Sequence, residues 1–284
     1  MKIAHLILTH KNPAQTQKLI DALQHPAHDF YIHLDKKTNE EPFGYLYKKE
    51  NVYRINNRAK IYWAGWGTIQ ATLNGFAEIL PGNYDYINVI SGQDFPIKNA
   101  VQIYDYISSR RGTEFITCHS IDGEWAEAAS RVRKYHLINL PIPGKYRLEK
   151  MVNAILPARK FPLPYQLVGR ANWFTLTQEA VKYLLQFLKE HPQVVRYFKY
   201  CWGADEFIFS TILFHSKFKK AIKDNLVYVD WTGQTKGHPR ILTLQDLPAL
   251  LASQKLFARK FDEEIDAGII DALQKQITKT PLAS

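Results

Sequence analysis

Cysteine is almost absent from this chain: Cys118 and Cys201 are the only two in 284 residues. Two thiols support neither a disulfide framework nor a cysteine-rich zinc cluster. A reducing compartment is their simplest setting, although the two could still bridge. No uninterrupted apolar run reaches the roughly 18 residues that a spanning helix needs. The opening Met1-Lys2-Ile3-Ala4-His5-Leu6-Ile7-Leu8-Thr9-His10 reads as a strand rather than a leader, because its short apolar run carries His5 and no small-residue cleavage site follows. Gly-x-Gly-x-x-Gly and Gly-x-x-x-x-Gly-Lys are both missing, which weakens a dinucleotide or phosphate-loop reading, and His-Glu-x-x-His is missing too. No Asp-x-Asp triplet occurs, and Asp122-Gly123-Glu124 is the nearest substitute. Carboxylate pairs of that kind commonly hold a divalent metal against a diphosphate. If a diphosphate binds here, cationic side chains must take the metal's place.

What the chain does have is a core-forming composition and excess positive charge. Hydrophobic residues make up 46% and charged residues 23%, with 37 Lys plus Arg against 27 Asp plus Glu, a formal net charge of +10. The apolar fraction excludes a disordered protein, and the length fits one domain or two intimate ones. A basic balance suits nucleic acid, an anionic membrane surface or a phosphate-bearing small molecule. No zinc finger and no RNA-binding aromatic signature accompanies it, which argues against nucleic acid.

The first half alternates strand and helix. Strands are expected at Ile3–Leu8, Phe30–Leu34, Val52–Ile55 and Tyr84–Ile90, with helices from Pro13 to Leu23 and over Thr68–Leu80. Such alternation predicts βαβ units, a mostly parallel sheet and a ligand crevice at the carboxyl ends of its strands. Thr9-His10, His33-Leu34-Asp35 and Ser91-Gly92-Gln93-Asp94 occupy those ends. Arg110 to Arg170, basic and broken by prolines, predicts long loops walling the site. Beyond it, Ala171–Leu176 and Val227–Val229 read as strands. Thr177–Glu190 (Thr177 as N-cap), Asp205–His215, Leu244–Ala252 and Asp262–Gln276 read as helices.

Several blocks occur in a telling order: Ile3–His10, Phe30–Lys37, Ile61-Tyr62-Trp63-Ala64-Gly65-Trp66-Gly67, Tyr86 to Lys98 with its Ser-Gly-Gln-Asp-Phe-Pro centre, Gly203-Ala204-Asp205-Glu206, and Leu256-Phe257-Ala258-Arg259-Lys260-Phe261-Asp262. Together they resemble the core-2/I-branching glycosyltransferases, the family that also holds the peptide O-xylosyltransferases, over nearly the whole chain from Ile3 to Phe261. The resemblance implies an α/β, GT-A-like single domain over 1–284 with a mostly parallel central sheet flanked by helices. Residues 1–110 would form the nucleotide-binding half, and 111–284 the acceptor-binding and catalytic half. It further implies a UDP-sugar donor, inversion at the anomeric carbon, and neither metal nor other cofactor.

Inverting transfer needs one carboxylate to take the acceptor proton and a positive environment for the departing UDP. By position, the resemblance makes Glu206 the base, with Asp205 capping or orienting its turn. Without it, both acids read simply as favourable charge in a first helical turn. The resemblance also implies an Arg and a Lys on the diphosphate: Arg240, after the Gly237-His238-Pro239 turn, and Lys260, with Arg259 as its alternate one residue away. Each reads otherwise as a solvated surface cation. His10 and Asp35 end the first two strands, where the base and ribose of UDP would lie, or serve as helix-start and turn residues. Asp94 either contacts the donor sugar or fastens a tight turn, and Trp66 either faces the crevice or fills core. Trp173, Tyr228 and Trp231 are candidates for stacking on sugar, or core aromatics. Glu124, Arg131 and Arg133 match positions that contact acceptor sugar in branching enzymes. The xylosyltransferase branch carries an acid where this chain has Asn172, which argues against its mechanism and favours N-acetylglucosamine as the donor sugar.

The expected function is therefore an inverting transfer of a sugar, N-acetylglucosamine first, from a UDP-sugar to a glycan or lipid-linked glycan. The alternatives are a xylosyltransferase of the same family and a non-catalytic sugar-binding module. A bacterial-type catalytic module of this kind is expected to be cytoplasmic or peripheral on the inner face of an anionic membrane, building surface polysaccharide, without nucleic-acid partners.

Overall fold

The computed structural model describes residues 1–140, 142–234 and 237–279. β1 (Ile3–Thr9), α1 (Pro13–Ala22), β2 (His28–Leu34), β3 (Val52–Arg54), α2 (Gly67–Ile79) and β4 (Tyr86–Ser91) follow in that order, so the alternation read from the sequence holds. β5 (Asp94–Pro96), α3 (Ala100–Ser108), β6 (Glu114–Phe115), β7 (His119–Ser120), α4 (Ala129–Arg133), α5 (Lys145–Ile155), β8 (Val168–Gly169) and β9 (Phe174–Thr177) come next. The chain then continues with α6 (Gln178–Glu190), α7 (Pro192–Phe198), α8 (Ile208–Phe214), β10 (Ile222–Lys223), β11 (Val227–Val229), α9 (Leu247–Ala252), β12 (Phe257–Arg259) and α10 (Gly268–Lys279).

The main sheet has the order β10-β6-β9-β4-β1-β2-β3. β1 pairs in parallel with β2 and β4, β2 with β3, and β6 with β10, while β9 runs antiparallel to both its neighbours. A mostly parallel sheet flanked by helices is thus the observed architecture. β1 lies between two parallel partners and is buried along its whole length, which explains why its sequence is a continuous apolar run rather than an alternating one. The polar exceptions pair off. His5, Asn88 and Thr175 occupy one register across β1, β4 and β9. Asn88 Nδ2 lies 3.0 Å from His5 Nδ1, and Thr175 Oγ1 donates to Asn88 Oδ1 at 2.9 Å. Burial holds the His5 imidazole well below its usual range, and the ladder bonds its Nδ1 across the strands while its buried Nε2 has no partner among the described residues.

Thr177 caps α6 as expected, accepting the Ala180 N–H at 3.1 Å. Three expectations are corrected. The stretch 110–170 is not all loop. The run after Gly144 contains no proline until Pro157, and it forms the eleven-residue α5. The helix expected over Asp205–His215 is split into a 3-10 turn, Ala204–Glu206, and α8. Glu206 C=O accepts the Arg170 N–H at 3.1 Å, so a neighbouring segment packs against the turn where a continuous helix would run. The last helix starts at Gly268 rather than Asp262 because Asp262 turns to Lys11 at 2.6 Å while Asp266 Oδ1 accepts the Ile269 N–H at 3.2 Å. α3 is not among the expected helices, although its signal is local: Asn99 and Gln102 form a reciprocal capping box.

A smaller sheet, β11-β12-β5, abuts the carboxyl ends of the main one. In it β11 and β12 are parallel, β12 and β5 antiparallel, and Arg259 stands opposite Asp94. Residues from both 1–110 and 111–284 build the main sheet, so the crevice at its ends is walled from both halves of the sequence. Leu6 is fully buried at the centre of β1. Leu6→Ala is expected to lower unfolding stability by about 2–5 kcal/mol. The change should appear in a urea melt as a lower midpoint at unchanged slope, and a smaller loss would show that the central layer relaxes around the cavity.

Candidate active site

A cavity of about 870 Å³ opens at the carboxyl ends of β1, β2 and β4, where a doubly wound sheet is expected to bind its ligand. Its floor carries His10, Asp35, Ser91 and Gln93, its back wall Asn172, Trp173, Asp205 and Glu206, and its side Arg259 and Lys260. Trp63, Trp202 and His238 make an aromatic edge. The Trp63 ring lies 4.9 Å from that of Trp202 and 4.7 Å from that of His238.

Glu206 reaches this wall through two glycines. Gly203, in the left-handed region at φ 63°, turns the chain into the 3-10 turn. Gly169 of β8 packs directly on the turn's backbone, and a Cβ there would lie 2.0 Å from the Glu206 carbonyl oxygen. The carboxylate keeps about a quarter of its side-chain surface accessible, and Arg131 Nη1 lies 3.0 Å from its Oε2. Burial, then the adjacent Asp205 charge, pushes Glu206 up to about 7, with Arg131 and Arg259 pulling the other way. Asp205 is raised too, chiefly by burial, and accepts a hydrogen bond from Asn172 Nδ2 at 3.0 Å. Asn172 thus supplies a donor to Asp205 rather than a second acid.

Arg259 is the charge between these acids. Its side chain is 14% exposed, its Nε lies 3.2 Å from Oδ1 of the fully buried Asp94, and its guanidinium sits 4.9 Å from the centre of the Trp173 ring. Burial raises Asp94 to about 6 against the pull of Arg259, and burial lowers Arg259 against the pull of Asp94, Glu206 and Asp205. Asp94 Oδ2 also accepts the Ser91 N–H at 2.9 Å. Asp94 therefore fastens the tight turn, as one of its two readings held, and stands behind Arg259 instead of in the cavity wall. Lys260, next along, is lowered by burial and then by the Arg259 and Lys11 charges. Among the described residues, Lys260 and Arg170 are cavity cations with no carboxylate in ion-pair range, whereas Lys37 and Lys255 face Asp35 and Asp224 at 3.4 and 2.8 Å.

The structure brings together Glu206, Lys260, His10, Asp35, Trp173, Tyr228 and Trp231, all on the cavity wall, with Arg131 directly behind Glu206. Asp35 also holds the floor, accepting the Lys37 and Ile61 N–H groups at 2.9 and 3.3 Å. His10 is lowered by burial and by the Lys260 charge. Four other candidates lie outside the wall. Arg240 is held by Asp230 and Asp246, with Nε 3.0 Å from Asp230 Oδ2 and Nη1 3.0 Å from Asp246 Oδ2. Two carboxylates already compensate its charge, and the Thr232 amide, then Arg240, draw Asp230 down to about 2. The Trp66 indole donates to Gln70, Glu124 accepts the Ser120 N–H at 3.0 Å, and Arg133 pairs with Asp122 at 2.6 Å in solvent. Arg170, His119, Trp63 and Trp202 on the wall were not assigned from the sequence. Trp63 lies inside a block already singled out, and Trp202 immediately precedes another, but nothing in one dimension says which ring of such a block faces the crevice. Both cysteines are free. Among the described residues no cluster of three or more His, Cys, Asp or Glu side chains is arranged to hold a metal ion, and no helix is long and apolar enough to cross a membrane.

The model of the Core-2/I-Branching enzyme family matches residues 3–251. Xylosyltransferase oxt of Drosophila melanogaster is 24% identical over 314 residues, covering 97% of this chain and 33% of the relative. Beta-glucuronosyltransferase GlcAT14A of Arabidopsis thaliana is 26% identical over 262 residues, covering 86% of this chain and 57% of the relative. The chain thus spans about a third of the length of the xylosyltransferases it matches. Among solved structures, an active-site mutant of LgtC aligns at TM-score 0.51 with 8% identity, covering 98% of this chain and 97% of that one, and shows the shared GT-A fold.

The opposed influences on Glu206 are separable. In a carboxyl-carbon NMR titration its midpoint is expected near 7, against an ordinary value of 4.5. Asp205→Asn should lower that midpoint and Arg131→Ala should raise it. A midpoint in the ordinary range, or shifts of the opposite sign, would mean that the carboxylate is solvated and uncoupled from these neighbours.

Proposed function

This chain belongs to the Core-2/I-Branching enzyme family, and we propose that it transfers a sugar from a UDP-sugar to a glycan hydroxyl with inversion and without a metal. The observation that carries this reading is the pairing of one raised carboxylate, Glu206, with two adjacent cations, Arg259 and Lys260, on the wall of a single cavity. The acceptor oxygen attacks the anomeric carbon from the face opposite the leaving group. The carbon–oxygen bond to the acceptor forms as the bond to the β-phosphate oxygen breaks, and the hydroxyl proton passes to Glu206. A base must be ionised, so kcat/KM should rise with pH through the Glu206 midpoint of about 7. The negative charge that develops on the departing diphosphate falls to Lys260, with Arg259 beside it. Both cations are lowered in the free protein by burial, and Lys260 also by the Arg259 charge. A diphosphate relieves that like-charge strain.

Arg240 is assigned differently from the sequence expectation. Its charge is already met by Asp230 and Asp246, which suits it to holding the turn that carries Trp231. His10 and Asp35 remain candidates for the base and ribose. Trp173, whose buried Nε1 has no partner among the described residues, offers a donor to the sugar, and Tyr228 and Trp231 offer rings to its apolar face. For the sugar itself, the sequence favours N-acetylglucosamine, while the two relatives named above are called a xylosyltransferase and a beta-glucuronosyltransferase. One observation favours the last of these sugars. Arg170 on the wall has no carboxylate partner among the described residues, which suits a donor that brings its own carboxylate.

Two experiments test this. In a UDP-release assay run in EDTA with UDP-N-acetylglucosamine, UDP-xylose and UDP-glucuronic acid, the wild type should turn over one of the three. Glu206→Gln should lose ~100-fold or more of that rate, as removal of a general base does, while calorimetric UDP affinity is kept. Retained turnover removes Glu206 as base, and dependence on added manganese sinks the cation reading. Separately, Lys260→Ala should weaken UDP by about tenfold, the size of one charge-assisted hydrogen bond, and leave uridine nearly unchanged. Arg240→Ala should not alter the ratio of UDP to uridine affinity. Equal losses for the two ligands on Lys260→Ala would place that lysine away from the diphosphate.

A further inference from the structure

We propose that the outer face of α5, with the apolar side chains that flank it, docks the protein on an anionic lipid surface beside the cavity. A surface helix usually keeps its large apolar residues on the covered side, whereas α5 also carries them on its solvent side. No residue of α5 is buried. Leu148 and Val152 are half-buried on its inner side, where polar contacts tie it to the rest of the protein. Glu149 accepts the Leu137 N–H at 2.9 Å and lies 3.2 Å from His136 Nδ1, and one turn on, Asn153 bridges the Tyr135 backbone at 2.8 Å on both sides. Tyr146, Met151 and Ile155 stand in solvent, at 68%, 55% and 74% exposure, and Leu140, Ile142 and Leu156 are exposed on either side of the helix. Six of the fifteen large apolar side chains exposed in the described structure therefore fall between residues 140 and 156.

Charge selects the occupant. Arg147 and Lys150 lie on the same outer face, and Lys160 follows. None of the three has an ion-pair partner among the described residues. The single acid of the segment, Glu149, is turned inward on His136. An exposed helix surface that mixes apolar side chains with unpaired cations and presents no acid has the composition of an interfacial helix: its apolar residues enter the acyl boundary while Lys and Arg meet anionic headgroups. Protein interfaces are depleted in lysine by comparison. The segment is tied to the edge of the cavity through Asn139, whose Oδ1 accepts the Trp66 N–H at 2.8 Å, two residues from the wall residue Ala64. If the acceptor is lipid-borne, which rests on the transfer reading above, docking here brings it to the cavity edge.

The test measures binding alone, so it can fail without touching that reading. The full chain is sedimented with phosphatidylcholine vesicles, with and without phosphatidylglycerol, over a range of salt. It is expected to partition at least about tenfold more strongly onto the vesicles containing phosphatidylglycerol, with the preference falling as salt rises. The paired substitutions Met151→Glu with Ile155→Glu, and Arg147→Glu with Lys150→Glu, should each abolish most of that partitioning at unchanged melting temperature. Absence of binding, binding indifferent to lipid charge, or binding that both paired variants retain overturns the proposal. A wild type that self-associates and becomes monomeric on Met151→Glu with Ile155→Glu does so as well, since the face then belongs to a second copy.

Discussion

The site is assembled around a guanidinium taken out of water. Arg259 is 14% exposed and lies among Asp94, Asp205 and Glu206, the three acids whose charges act on it. Removing one such ion from water costs several kcal/mol, and only close opposite charge offsets that. Conversely, three carboxylates gathered in one low-dielectric pocket would hold each other protonated without a cation between them. The cross-strand placement of Arg259 opposite Asp94, fixed by the register of β12 on β5, meets both demands at once. It couples the smaller sheet to the end of the main one.

That arrangement divides labour among the charges of the cavity. Asp94 is ion-paired with Arg259 and accepts the Ser91 amide, so it orients. Asp205 is tied to Asn172. Glu206 is left the most responsive of the three, pushed up by burial and by Asp205 and restrained by Arg131. On the cationic side, Arg259 is ion-paired with Asp94, while Lys260 beside it has no carboxylate in ion-pair range among the described residues. Arg240, by contrast, is saturated by Asp230 and Asp246. An unmet charge, rather than a nearby one, marks where an anionic ligand is to be sought.

Part of the surplus of positive charge has two destinations in this reading. One is the cavity corner at Arg259 and Lys260. The other is the unpaired Arg147 and Lys150 of α5, which share their face with exposed apolar side chains. Neither destination requires nucleic acid, and the two are joined through Asn139 and the loop that holds Trp63 and Trp66.

Much of this was written in one dimension. The continuous apolar run of β1, the Pro13 and Thr177 helix starts, and the polar residues closing β1, β2 and β4 are local signals, and local backbone physics places them correctly. The blocks around Asp94, Glu206 and Lys260 named the family and put Glu206 and Lys260 on one cavity. What stayed out of reach depended on distant partners. Whether Arg240 or Arg259 faces the cavity turns on which carboxylates fold against each. The break between Glu206 and α8 exists because β8 packs on that turn. The outward apolar face of α5 follows from Glu149 and Asn153 anchoring it on the other side. Sequence alone determined the elements, the family and the chemical types at the site, because those are properties of a residue and its near neighbours. Tertiary structure decided which charges are compensated and which are left open, because compensation depends on distance through space.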